Sequence, residues 1–385
     1  MAKNVVFLVH GVGRHSENWA YTEDGPIPAL ETAARNYSYF REKKLSDLVE
    51  FVPIHIDDIF DRILKQWNDL SVGLTGAGGA PDALKAVLSL CSKGTNTSSD
   101  LIALGADVPL YRGFPLFAKR IQLAINLRIA RVIVEKSKTG DGELPHYVVI
   151  AHSLGTAMAH DALHLLGTEN WLDQTYSSGP AEADKDAVAF NSAHKKLSER
   201  FGTANPFAPG FVNFRSVYMI SNTSRLLQTI CAPDKSLVCP LSQGAAGSYC
   251  QSFINIDHKL DPVSKIMPFR VPTAWQASGG MQLEVDHFYN TNIHAFSHYL
   301  LHPDVHRNIL MDLVDGFEPT NEENEKANIF PQYGGTLAAV IDAKRAAFRA
   351  RIQDIVTTAT SGTIAELERW LAVYRALNEI AQREI

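Results

Sequence analysis

The amino-acid sequence predicts an α/β protein with a mostly parallel central sheet covered on both faces by helices. Three observations predict it. The chain has 385 residues and is 45% hydrophobic, enough to bury one large core. Short apolar, β-branched runs recur along it, and longer segments with apolar positions at three- and four-residue steps lie between them. Such alternation suits parallel strands joined by helical crossovers.

In order, Val5 to Val9, Val49 to Ile56, Tyr147 to Ala151, Ser216 to Ile220, Phe253 to Ile256 and Met281 to Val285 read as strands. Pro28 to Lys43, Asp58 to Asp69, Pro115 to Lys136 and Ser153 to Leu166 read as helices, with Pro28 at a first helical position where its missing N–H costs nothing. Residues from about 73 to 104, rich in Gly, Ser and Thr, and from about 167 to 212, polar with Pro and Gly near both ends, read as lid-like excursions from the sheet. The main domain is expected over residues 1 to 332. From 333 to 385 the pattern changes to two helical segments separated by Ser361-Gly362. The first carries Leu337, Val340, Ile341, Phe348, Ile352 and Ile355, and the second Ile364, Leu367, Leu371, Tyr374 and Leu377. They read as an appended helical hairpin whose stripe packs on the main body or, in the second reading, joins copies into a homo-oligomer.

A formal net charge of −6 with no long basic run gives no electrostatic footprint for nucleic acid. The apolar run Val5 to Val9 is too short for a signal peptide, and no segment reaches membrane-spanning length, so a cytoplasmic protein with no integral membrane segment is expected. Four cysteines form no CxxC pair, which indicates neither a zinc knuckle nor a disulfide framework. Cys231, Cys239 and Cys250 are close enough in sequence to leave one disulfide open.

The chemistry concentrates at Ala151-His152-Ser153-Leu154-Gly155. A buried-strand pattern, Tyr147 to Ile150, runs straight into it, and a small-residue helix start, Thr156 to Ala159, follows. A serine on so tight a turn takes a strained backbone and projects its hydroxyl above the sheet, while small residues two before and two after let strand and helix approach. Ala151 stands where the usual pattern has glycine. The bland alternative is a serine capping a helix. His10-Gly11-Val12-Gly13 after the first strand supplies a glycine-rich turn. An amide of Val12 or Gly13, with that of Leu154, would make a two-donor oxyanion hole.

These features resemble the α/β-hydrolase family of lipases and esterases, over roughly residues 1 to 312. Asp107-Val108-Pro109-Leu110-Tyr111, and Asp261-Pro262-Val263 with Pro268, are similar to segments of intracellular phospholipase A1-like and other lipase-like hydrolases, although the chain has no obvious counterpart of that group's metal-binding aspartate and histidine signature. The resemblance implies an α/β-hydrolase fold and a triad in the chain order Ser, acid, His. The acid should follow a late strand, and Asp261 is preferred to Asp257 because Asp-Pro-Val matches the resemblance. Both remain open by chain order. His294, in a loop-like context before Ala295 to Leu300, is preferred as base, with His298 one helical turn on as the alternative.

His294, His298, His302 and His306 stand four apart and would share a helix face suited to a metal. Pro303 interrupts that helix and no HExxH pattern is present, so helix-surface histidines and no metal are expected. The resulting expectation is a serine carboxylic-ester hydrolase, esterase or lipase, needing no cofactor and acting on a small-molecule or lipid acyl ester. Phospholipase or lysophospholipase, thioesterase and acyltransferase chemistry share its acyl-enzyme step. A scaffold of this fold used as a ligand receptor or interaction module is the alternative outside enzymes.

Overall fold

A computed structural model describes residues 3–11, 15–57, 59, 111, 115–139, 144–168, 185–212, 214–227, 235–241, 248–259, 261, 264, 268–287 and 294–327. Its strands are β1 (Asn4–Val9), β2 (Val49–Ile54), β3 (Tyr147–His152), β4 (Phe214–Ile220), β5 (Cys250–His258) and β6 (Gly280–Val285). The helices are α1 (Pro26–Ala34), α2 (Leu45–Leu48), α3 (Pro115–Thr139), α4 (Leu154–Gly167), α5 (Lys185–Phe201), α6 (Ser224–Leu227), α7 (Thr273–Gln276), α8 (Phe296–Leu300), α9 (Pro303–Leu313) and α10 (Asn321–Ala327).

The six strands form one sheet in the order β2-β1-β3-β4-β5-β6, every neighbouring pair parallel. β1 and β3 are buried at every position, as expected of strands covered on both sides. Their side chains divide by parity. Val5, Phe7, Val9, Val149 and Ala151 join the core formed with α3, α4 and α5. Val6, Leu8, Val148 and Ile150 join the opposite core with α1, α8 and α9. The α/β class and the helices on both faces are therefore as the sequence implies. β2 lies at one edge, where Pro53, which has no N–H to donate, is tolerated.

Several boundaries differ from expectation. The helix expected over residues 28 to 43 is shorter, because α1 starts at Pro26 behind Gly25 and ends at Ala34. Tyr37 then takes an extended backbone, φ −109° and ψ 136°, which places its ring against those of His306 and Phe317. Burial of that aromatic outweighs continuation of the helix. β5 is longer than expected and contains Asp257. Within the excursion expected from 167 to 212, α5 packs on α3 and buries Phe190 and Leu197, so this part belongs to a helical layer of the sheet. The excursion from 73 to 104 and the hairpin from 333 to 385 lie outside the described residues. Cys250 is a buried free thiol, and Cys231 also lies outside the described residues. Among the described residues no helix is long and apolar enough to cross a membrane.

The strand order fixes where chemistry can sit. The chain leaves β1 toward β2 on one side and returns to β3 on the other, so the connections diverge at the carboxyl ends of β1 and β3. A sheet of this kind opens a crevice at that reversal point.

Burial also sets the acid sensitivity of the fold. His306 of α9 is buried, with Nε2 3.0 Å from the Tyr37 hydroxyl and Nδ1 3.2 Å from the Leu300 carbonyl. Desolvation pulls its pKa from 6.5 down to about 4. The unfolded chain therefore binds a proton between these values that the folded chain refuses, and stability is full above pH 6.5 and lost as the pH falls toward 4. His306→Gln should flatten the pH dependence of the urea midpoint over this window, by up to about 3 kcal/mol at its acid end. An unchanged slope in the variant would contradict this account.

Candidate active site

Ser153 occupies the turn between β3 and α4 with φ 55° and ψ −131°, one of two described non-glycine residues with positive φ. An L-residue holds such a backbone only where its surroundings compel it. Here the Ser153 amide donates to the Ile220 carbonyl at 2.9 Å, extending the sheet bonding one residue beyond β3. Its carbonyl accepts from the Thr156 amide at 2.9 Å, from Thr156 Oγ1 at 2.6 Å and from Thr223 Oγ1 at 3.0 Å. The turn is thus tied at both ends.

Two glycines let the first strand's end lie against this turn. A Cβ on Gly155 would fall 2.3 Å from the His10 carbonyl oxygen and 2.8 Å from that of Val9. A Cβ on Gly11 would fall 2.6 Å from Ser153 Cβ. Ala151, the position where glycine is usual, is fully buried with its methyl accommodated.

The three residues singled out in the sequence meet here. His294 Nε2 lies 2.9 Å from Ser153 Oγ, and His294 Nδ1 lies 2.8 Å from Asp261 Oδ2. Burial raises the Asp261 carboxyl, but His294 beside it and hydrogen bonds from His294, Ser221 and Tyr299 outweigh that and hold its pKa well below the usual carboxylate range. An ionised carboxylate only accepts, so His294 Nδ1 carries the proton and Nε2 turns its lone pair to the serine hydroxyl.

The alternatives face elsewhere. Asp257, inside β5, accepts from Gln282 Nε2 at 3.2 Å and lies 3.5 Å from Arg270 Nη1. His298 turns Nε2 to the His287 carbonyl at 3.3 Å. Nor do the four evenly spaced histidines share a helix. The chain breaks between α8 and α9, where Pro303 stands in a first turn and His302 Nδ1 caps the new helix by accepting from the Asp304 amide. His298 and His306 are buried, contrary to the expectation of surface positions.

Sequence reasoning missed two groups. Ser221, the other positive-φ residue at φ 50°, follows β4 and donates from Oγ to Asp261 Oδ2 at 2.6 Å. Tyr299 of α8 donates to the same oxygen at 2.6 Å. Burial first and Asp261 second push the tyrosine pKa up, so it stays a donor. One carboxylate oxygen therefore holds an imidazole, a serine and a phenol. Neither residue carries a recognisable motif, and the one local signal is the position of Ser221 directly after an apolar strand.

Neutral rings surround this chain. His152 stacks on Phe296, centroids 4.9 Å apart and 12° between planes, and lies 4.9 Å from the His294 ring. Burial and then the neighbouring His294 lower its pKa well below 6.5. His10 is lowered likewise, by burial and then by His15. The Asp261 carboxylate is thus the charge placed to stabilise a protonated His294.

Leu154 opens α4, so its amide is one of the four that a helix leaves without an internal acceptor. Such an amide beside Ser153 Oγ suits a developing anion. Gly11 lies against Ser153, while Val12 and Gly13 fall outside the described residues. Tyr111 is buried and donates to Asp161 of α4 at 3.0 Å, on the helix behind the nucleophile turn. No protein-family model, no curated protein and no solved structure matches the chain.

The backbone contacts at Gly155 set a test of the packing. Gly155→Ala must displace main-chain atoms of β1, so we expect a loss of about 2 kcal/mol or more in urea unfolding. Neutral stability in that variant would show that the β1 end is not pinned to the turn.

Proposed function

We propose that this protein is a serine hydrolase of the α/β-hydrolase kind that cleaves carboxylic esters. The observation that carries the reading is the hydrogen-bonded chain Ser153 Oγ, His294, Asp261 Oδ2, with both distances under 3 Å and the serine on a strained strand-to-helix turn. The order Ser, Asp, His along the sequence agrees with that fold family.

In this mechanism His294 Nε2 takes the proton of Ser153 as Oγ attacks the ester carbonyl. Asp261 stabilises the imidazolium. The Leu154 amide, with a second from Val12 or Gly13, receives the oxyanion. The imidazolium then protonates the leaving alcohol, and water, deprotonated by His294, releases the acid from the acyl-enzyme. The chain's own residues supply each proton transfer, so the proposal requires no cofactor. Lipase or esterase action on a small-molecule or lipid acyl ester is the reading; the phospholipase, thioesterase and acyltransferase alternatives share the same acyl-enzyme.

An active-site fluorophosphonate should label the native protein at Ser153, and p-nitrophenyl esters from acetate to palmitate should be turned over with a chain-length preference that separates esterase from lipase. Ser153→Ala should lose both labelling and turnover, the latter by about four to six orders of magnitude. Labelling that persists in Ser153→Ala, or fails in the native protein, would falsify the assignment.

Ser221 acts through Asp261 and is a positioning residue. Ser221→Ala removes one charge-assisted hydrogen bond, worth about 1.5–3 kcal/mol, so kcat should fall roughly tenfold to a hundredfold with KM little changed. A change confined to KM would instead place Ser221 in substrate binding.

A further inference from the structure

The cations of this chain are unevenly placed. Against a formal net charge of −6 for the whole, α3 and α5 hold ten Lys and Arg residues and three acids, Glu135, Asp186 and Glu199. The two helices pack together in the layer that covers one face of the sheet. On α3 the exposed charged residues are Arg120, Arg128, Arg131, Glu135 and Lys138, spaced in helical steps that keep them on one stripe. Lys195, Lys196 and Arg200 are exposed on α5. Two segments distant in sequence thus build one basic face.

Among the described residues, Arg128, Arg131, Lys138, Lys195, Lys196 and Arg200 form no ion pair. Elsewhere Arg215, Lys259, Arg307 and Lys326 each sit against a carboxylate. Exposed like charges gathered without counterions raise a positive potential over the face that bears them. A groove of about 450 Å³ opens between the helices, its rim set by Arg131, Lys138 and Lys196 with Glu135, and its floor by the buried Val134 and Ala193. Apolar side chains join the cations. Val188 of α5 is 48% exposed, and Phe211, whose ring stacks on that of Phe201 at the end of α5, is 42% exposed.

We propose that the α3–α5 face docks on an anionic phospholipid bilayer. The headgroup layer offers phosphate and carboxylate anions to Arg131, Lys138 and Lys196, and its acyl boundary takes Val188 and Phe211. A nucleic-acid backbone would match the cations and leave the apolar pair in water. Charge also sets the orientation, because attraction acts on this face while the acidic remainder of the chain is repelled. As the face is a helical layer over the sheet, docking lays the sheet along the bilayer and leaves its carboxyl edge, where Ser153 stands, open at the side. Binding of this kind stands apart from ester hydrolysis, although a bilayer is where a lipid ester is met.

The test is cosedimentation of the full chain with vesicles of diether phosphatidylcholine, alone or with about one-third diether phosphatidylserine. Diether lipids carry no acyl ester, so the readout succeeds or fails independently of hydrolysis. Partition onto the anionic vesicles should be at least tenfold stronger than onto phosphatidylcholine alone, and should be lost at about 0.5 M NaCl. Lys138→Glu with Lys196→Glu should weaken it at least tenfold, and Arg128→Glu with Lys195→Glu serves as a second pair if the first does not fold. Arg41→Glu with Lys44→Glu makes the same change in net charge beside Phe40 and Leu45, which belong to the opposite core, and should keep partition within about threefold of native. Equal partition onto both kinds of vesicle, equal loss in the charge-matched control, or tighter binding to duplex DNA than to the anionic vesicles overturns the proposal.

Discussion

The structure around Ser153 depends on one close approach: the start of α4 pressed against the carboxyl end of β1. Gly155 makes it, since a single carbon atom there would meet the His10 and Val9 carbonyls. Because β1 and β3 are parallel neighbours with Val9 beside Ala151, both strands end at the same height, and the turn after β3 has nowhere to go but over the end of β1. The unusual backbone of Ser153 follows from that confinement. It is held by donors from β4's neighbourhood, Thr223, and from its own helix, Thr156. Strain at one residue is offset by hydrogen bonds distributed over two elements.

The same crowding shapes the electrostatics. Around the turn the described histidines His10 and His152 are so desolvated that they resist protonation, while Asp261, equally buried, stays charged because three donors converge on one of its oxygens. A buried carboxylate without such donors would neutralise by taking up a proton. The site therefore separates two kinds of burial. One leaves rings neutral and works as packing, and the other preserves a single anion by satisfying it locally.

Much of this was legible in the sequence. The parallel sheet was readable because its strands are buried on both faces and so appear as unbroken β-branched runs, Val5 to Val9 being the clearest. Ser153 was readable because strand, turn and helix signals are contiguous there. Asp261 could be ranked over Asp257 mainly through resemblance and His294 over His298 through its loop-like context, and the structure separates the two aspartates by where the chain turns: Asp257 is still within β5, whereas Asp261 lies beyond its end. Tyr299 left no mark and Ser221 only its position after an apolar strand, because their role arises from three segments meeting at one oxygen. Pro303 was legible as an interruption of the shared helix face, and the break at His302 places His298 in α8 and His306 in α9.

The strand order has a temporal consequence. β1 can pair with β2 as soon as about the first fifty residues exist, but its other edge waits for β3, whose first residue lies more than a hundred positions later. β4, β5 and β6 then add outward one at a time. Such non-local parallel pairing folds slowly, since long loops must close before their contacts compensate the lost entropy. A nascent chain therefore carries an open, apolar strand edge through most of its synthesis, first on β1 and then on each newest strand. Aggregation during synthesis is the hazard this order creates, and the helices that cover both faces cannot shield an edge.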